Sequence, residues 1–178
     1  MSNCALLIVD MVDVFLNDFR EANIPIGELI DSNEAVLKAS IERGYPVATF
    51  TYGDDGGGYP LAASEDPRII DELQVLVDQI PEDMKFQGVK YDESCFSVPE
   101  LEEKLELWNT RDLVIGGINN KCVYDTVSDG VERGYGITSA RDLIDDPLVR
   151  GCHAETVRLF KRSDGLYGNH REMLEALG

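Results

Sequence analysis

The 178-residue chain is poor in the residues that mark most metal and nucleophile motifs: two histidines, His153 and His170, four scattered cysteines and one tryptophan, Trp108. No zinc-ligand spacing occurs among them, and there is no GxSxG nucleophile elbow. Cys4, Cys95, Cys122 and Cys152 stand singly, without the density of a disulfide scaffold, so four reduced thiols are expected. Basic charge is scarce too. Lys and Arg number 16 against 34 Asp and Glu, a formal charge of −18, and no basic cluster interrupts the acid excess. Nucleic acid and anionic membranes are therefore poor partners. The excess reads as a soluble, self-repelling surface, with a salty habitat as the second reading, and it names no substrate. The opening segment MSNCALLIVDMVDVF has no basic n-region, and Asp10 and Asp13 break its apolar stretch. It is expected to be neither a signal peptide nor a membrane span, which implies a cytoplasmic protein. No internal repeat or linker is visible, and the length suits one domain over 1–178.

Strand and helix patterns alternate along the chain. Apolar runs at 4–10, 46–52, 86–90, 112–118 and 135–140 read as buried strands, with 165–168 as a possible sixth. Between them, 26–44, 68–80, 98–109, 122–134, 152–162 and 170–178 carry helical signals; Gly44, Pro81 and Gly134 act as stops and Pro99 falls in a first turn. The Gly- and Asp-rich stretch 53–67 is a loop. This order predicts a three-layer α/β/α domain around a doubly wound, mainly parallel sheet of five or six strands.

Asp10, Lys90 and Cys122 each fall at or just after the end of such a run. Ligands collect outside the carboxyl ends of the strands in open α/β sheets, so an acid, an ammonium and a thiol are expected to converge there. Taken alone, a cysteine at a strand-to-helix junction is more often a small buried hydrophobe, Asp10 a structural carboxylate and Lys90 a surface residue. Joint placement reverses that reading. Cys122 then acts as a nucleophile, Asp10 takes its proton, and Lys90 with the following helix start favours the anion, depressing the pKa of this thiol alone among the four. Lys121 is expected to point to solvent.

The same residues carry a family resemblance. Ile8, Val9, Asp10 are followed by Phe15; Lys90 is followed by Ser94, Cys95, Phe96; and Gly116, Gly117, Ile118, Asn119, Asn120, Lys121, Cys122, Val123 lead to Thr126 and a helix closed by Gly134 and Tyr135. In order and spacing these motifs resemble the isochorismatase-like cysteine hydrolases, which include nicotinamidases and N-carbamoyl amide hydrolases. The resemblance covers most of the chain. It implies Cys122 as nucleophile, Asp10 as general base and Lys90 as electrostatic partner. It also implies a cis bond between Gly117 and Ile118 that aims the backbone N–H groups of Ile118 and Cys122 at an oxyanion. The implied reaction is hydrolysis of a C–N bond, amide or N-carbamoyl, in a small amide or ureido compound through a Cys thioester, with no cofactor.

Three departures from the family pattern bear on the substrate. Val12 stands where a Gln is common, Asn119 where a Thr is usual, and Thr51, Tyr52, Gly53, Asp54, Asp55 replace the Asp-x-His metal motif of nicotinamidases. No metal site is expected, and nicotinamide should be a poor substrate. Val12, Phe15, Tyr52, Phe96 and Asn119 are the substrate-pocket candidates, with walls from loops at 16–26 and 52–66 and from a neighbouring subunit of a homo-oligomer, dimer or tetramer. Gly56, Gly57 and Gly58 lack the Lys-Ser/Thr of a phosphate loop, Cys152 and His153 are read as structural, and His170 stands alone. Two alternatives remain: isochorismatase-type vinyl ether hydrolysis, which in the family dispenses with a nucleophilic Cys, and a non-catalytic small-molecule binding protein on the same scaffold.

Overall fold

In a computed structural model, residues 3–53, 68–118, 120–146, 154–162 and 165–178 are described. The loop glycines Gly56 to Gly58, the pair Asp54 and Asp55, Tyr59, Asn119, Cys152 and His153 lie outside them.

The fully apolar run Cys4–Val9 forms β1, which is buried along its whole length. It pairs in parallel with β2 (Val47–Tyr52) on one side and β4 (Asp112–Ile118) on the other. β3 (Lys85–Lys90) lies outside β2, and β5 (Gly136–Ala140) outside β4. Two short strands complete the sheet: β6 (Ile144–Asp145) pairs with the last residues of β4, and β7 (Leu166–Tyr167) with β5. The order is β3-β2-β1-β4-β5-β7 with β6 beside β4, so the described residues form seven strands where five or six were expected, and every described pair is parallel. The extra strand, β6, is only two residues long and so has no periodicity to reveal it.

Strand order reverses direction at β1. The chain travels outward through β2 and β3, then crosses back to β4, so the carboxyl ends of β1 and β4 flank the topological switch point. Right-handed crossovers put α2 (Gly27–Arg43) and α3 (Asp71–Val77) on one face of the sheet and α5 (Asn120–Glu132) on the other. α7 (His170–Ala176) packs beside α2, and α6 (Ala154–Arg162) beside α5. α4 (Pro99–Leu107) connects β3 to β4, with Pro99 in its first turn as expected. Gly44, at φ +66°, ends α2, and the N–H groups of Gly44 and Tyr45 return to the carbonyls of Ile41 and Ser40.

Most of the segment read as a loop over 16–26 is instead helical. α1 (Asp13–Glu21) buries Phe15, Leu16 and Phe19 on a narrow stripe, while on its exposed side Arg20 donates to both Asp13 and Asn17. Only three buried positions in nine residues left the periodicity too weak to stand out.

Candidate active site

β1 ends one residue before Asp10, which sits at φ +55°, a left-handed conformation unusual for a residue with a side chain. Such a conformation costs on the order of 1–3 kcal/mol and persists only where its surroundings fix it. They do so here: the N–H of Asp10 donates to Phe50 O at 2.9 Å, its carbonyl accepts from Val12 N at 2.8 Å, and Met11 O accepts from Ile70 N at 2.8 Å. The carboxylate is fully buried.

Lys90 closes β3 and is in register with Tyr52, the last residue of β2. β2 therefore stands between Lys90 and the end of β1, yet the Lys90 side chain crosses it. Its Nζ lies 2.9 Å from Asp10 Oδ2, donates to Cys122 Sγ at 3.2 Å and to Asp92 O at 3.4 Å, and sits 4.4 Å from the centre of the Tyr52 ring. At 2.9 Å the contact with Asp10 is a close ion pair between two buried groups. The ammonium, like the carboxylate, is fully buried, and the thiol nearly so.

Cys122 lies in the first turn of α5, where its backbone N–H has no intrahelical acceptor. Ile118 closes β4 just before it. Between β1 and this turn the chains pass so closely that a Cβ on Gly117 would fall 2.0 Å from Val9 O, and Gly117 takes φ +134°. The expected cis bond between Gly117 and Ile118 is absent, as no described peptide bond is cis. The positive φ of the side-chain-free Gly117 redirects the strand in its place.

The electrostatics overturn one expectation. Burial pushes the Cys122 thiol well up and the Asp10 charge adds to the effect; Lys90 opposes both and does not win. The resting thiol thus keeps its proton, where a depressed pKa was predicted, because the helix-start and Lys90 arguments left out the cost of burying an anion beside a carboxylate. Burial also raises the proton affinity of Asp10 against the pull of Lys90, which suits a base. Burial opposes the Lys90 ammonium, but Asp10, Cys122 and Cys95 together hold it protonated beyond its ordinary range. Cys4 and Cys95 are pushed up to about 12, mainly by burial.

Asp10, Lys90 and Cys122 are thus brought together. Val12 precedes α1 and Phe15 lies on it, both buried. The Phe96 ring stacks on Tyr135 at 5.8 Å, lies under the Arg133 guanidinium at 4.7 Å and borders Gly130, so it packs against the last turns of α5. Asn119 is outside the described residues. Lys121 pairs with Glu93 instead of pointing only to solvent, which ties the turn after β3 to the start of α5. His170 does not stand alone: its Nδ1 is 2.7 Å from Asp142 Oδ2, and Ser32 Oγ donates to the same oxygen at 3.3 Å. This cluster joins α2 and α7 to the turn after β5. Sequence reasoning missed Cys95, whose N–H donates to the buried Thr126 hydroxyl at 3.0 Å and which is close enough to act on Lys90. Its place in the motif with Ser94 and Phe96 was the available signal.

Among the described residues no three His, Cys, Asp or Glu side chains form a group able to hold a metal ion, and no helix is long and apolar enough to cross a membrane.

The isochorismatase domain family matches residues 4–163. No curated protein matches the chain. Among solved structures, the chain is similar to nicotinamidase PncA from Bacillus subtilis, at 21% identity and TM-score 0.73 over 95% of this chain and 100% of that one. N-carbamoylsarcosine amidase from Thermoplasma acidophilum is 21% identical with TM-score 0.68, over 93% and 94% of the two chains. An isochorismatase family protein from Burkholderia thailandensis is 16% identical with TM-score 0.72, over 98% and 95%.

Proposed function

The chain belongs to the isochorismatase domain family, and on that premise we propose that it is a cysteine hydrolase that cleaves the C–N bond of a small amide or N-carbamoyl compound through a thioester on Cys122. The observation that carries the proposal is the contact of one buried ammonium, Lys90 Nζ, with both Asp10 Oδ2 at 2.9 Å and Cys122 Sγ at 3.2 Å. A merely structural cysteine has no need of a charged pair buried against its sulfur, because an unrelieved ion pair in a core costs more than apolar packing of the same volume.

In the proposed reaction Asp10 accepts the thiol proton as Sγ bonds to the substrate carbonyl carbon, and the carbonyl electron pair moves to oxygen. Lys90 stays protonated and offsets the charge that passes between sulfur and carboxylate. The oxyanion faces the backbone N–H groups of Ile118 and Cys122, a kind of contact whose loss typically costs roughly 2.7–4 kcal/mol in the barrier. Collapse breaks the C–N bond, and Asp10 returns the proton to the leaving amine. A water then gives its proton to Asp10 and adds to the thioester; the C–S bond breaks, the acid leaves, and Cys122 is reprotonated. A protonated resting thiol fits this scheme, since the thiolate is needed only while substrate is being attacked.

The proposal extends to a cytoplasmic protein that works as a homo-oligomer on a small molecule. A screen of aliphatic amides, N-carbamoyl amino acids and nicotinamide with ammonia detection tests the activity. Turnover of at least one compound by the wild type, lost in Cys122→Ala, is the expected result; ammonia release that survives in Cys122→Ala overturns it.

A further inference from the structure

Lys90 poses a geometric problem that the pairing of the strands makes explicit. It leaves β3, its acid partner follows β1, and β2 lies between them. A side chain making that crossing must pass over the last residue of β2, and that residue is Tyr52, in direct register with Lys90. The crossing is made against the ring face, with Nζ 4.4 Å from the centroid. Asp10 Oδ2, Cys122 Sγ, Asp92 O and the ring face all lie close to the ammonium.

We propose that Tyr52 is a positioning residue whose ring face fixes the Lys90 ammonium against Cys122 Sγ, in place of the wall of the substrate pocket that the sequence assigned to it. The assignment rests on the reading of Lys90 as the electrostatic partner of Cys122. An aromatic face attracts a cation without accepting its protons, so it holds Nζ in place while leaving its N–H groups for sulfur and the Asp92 carbonyl. A hydrogen-bonding side chain here would compete with Sγ for the same donors. An aliphatic one would let the ammonium settle towards Asp10 or Asp92 O and lengthen the 3.2 Å contact. Because Coulomb attraction falls with distance, even a modest lengthening weakens what Lys90 does for the thiolate. The groups that face Lys90 are Asp10 after β1, Cys122 on α5, and Cys95 and the Asp92 carbonyl after β3.

The test is the pH dependence of Cys122 alkylation by iodoacetamide, read site by site by mass spectrometry in folded wild type, Tyr52→Leu and Tyr52→Phe. Tyr52→Leu is expected to move the Cys122 profile up by about one pH unit, and Tyr52→Phe, which keeps the ring face, to restore most of the shift. A general loosening would raise Cys95 alkylation and leave the Cys122 midpoint in place. Lys90→Met separates the two readings: it should move the profile by itself and abolish any further effect of Tyr52→Leu. If Lys90→Met has no effect, the underlying reading of Lys90 is wrong; if it has one and Tyr52→Leu has none, or if Tyr52→Phe shifts as far as Tyr52→Leu, the role given to the Tyr52 ring is wrong. Tyr52→Met, similar in length and lacking a ring, replaces Tyr52→Leu if the latter does not fold.

Discussion

Lys90 Nζ lies 3.2 Å from Cys122 Sγ although β3, which carries Lys90, and β4, which leads to Cys122, are separated by β2 and β1. Lys121, adjacent to Cys122 in sequence, instead reaches out to Glu93. Lys90→Met should lower kcat/KM for the best amide by roughly 100-fold or more, the scale of losing a preorganised electrostatic partner. Lys121→Met removes an exposed pair worth at most about 1 kcal/mol and should cost less than roughly 5-fold. Steady-state ammonia release by the two variants decides the order, and a larger loss in Lys121→Met contradicts it.

Burial keeps the thiols protonated, and this has a signed consequence. Cys122, Cys4 and Cys95 all have folded pKa values above their ordinary ones. As pH rises past about 8.5 the unfolded chain releases these protons first, so stability falls until the folded thiols ionise as well. Lys90 acts in the same direction, since its raised folded pKa gives stability that is lost as pH climbs through it. Denaturant unfolding at a series of pH values should show this alkaline decline, and Cys4→Ala/Cys95→Ala should flatten it between about 8.5 and 12. Thiolate absorbance in the ultraviolet should be absent at neutral pH in the free protein; a Cys122-dependent signal there contradicts the protonated resting state.

Asp10 and Lys90 form a fully buried charged pair, which is expensive to keep and more expensive to break. Asp10→Asn and Lys90→Met should each destabilise by about 3–5 kcal/mol, because one charge is left uncompensated in the core. The double variant should recover most of that loss, or exceed the wild type by about 1–4 kcal/mol, while remaining inactive. Additive single losses in urea unfolding argue against a coupled pair.

The sheet was legible because β1 is an uninterrupted apolar run and β2, β4 and β5 are short runs rich in apolar and β-branched residues between turn residues, and Asp10, Lys90 and Cys122 were legible because strand ends carry chemistry in such sheets. What escaped has a physical reason in each case. α1 buries only three residues, and β6 is two residues long, whereas β7 falls within the possible sixth strand read at 165–168. The protonation of Cys122 depends on the balance between burial, Asp10 and Lys90, which distance and accessibility decide and spacing does not. The same holds for Tyr52 and Phe96: aromatic residues near motif positions, one turned to the ammonium and the other to Tyr135.

Substrate preference follows from the residues that are missing. With Thr51 and Tyr52 ending β2, Gly53 following it and no histidine nearby in the sequence, no residue there offers a metal anchor for a pyridine nitrogen, and Val12 supplies no amide. A polar ligand whose groups go unmatched is strongly penalised. Small aliphatic amides or N-carbamoyl compounds should be turned over at least about 10-fold more efficiently than nicotinamide, a margin that one or two lost polar contacts supply. Ammonia release measured with metal chelated and then restored checks this; efficient metal-dependent turnover of nicotinamide with the other compounds inert contradicts it.

The central claim is a covalent intermediate on Cys122, and acid quenching of the enzyme during turnover of its best amide, followed by peptide mass spectrometry, tests it most directly. The account predicts an acyl group of the substrate's acid portion on the Cys122 peptide, released by hydroxylamine and absent from Cys4, Cys95 and Cys152. Turnover that proceeds with Cys122 unmodified and persists in Cys122→Ala would contradict it.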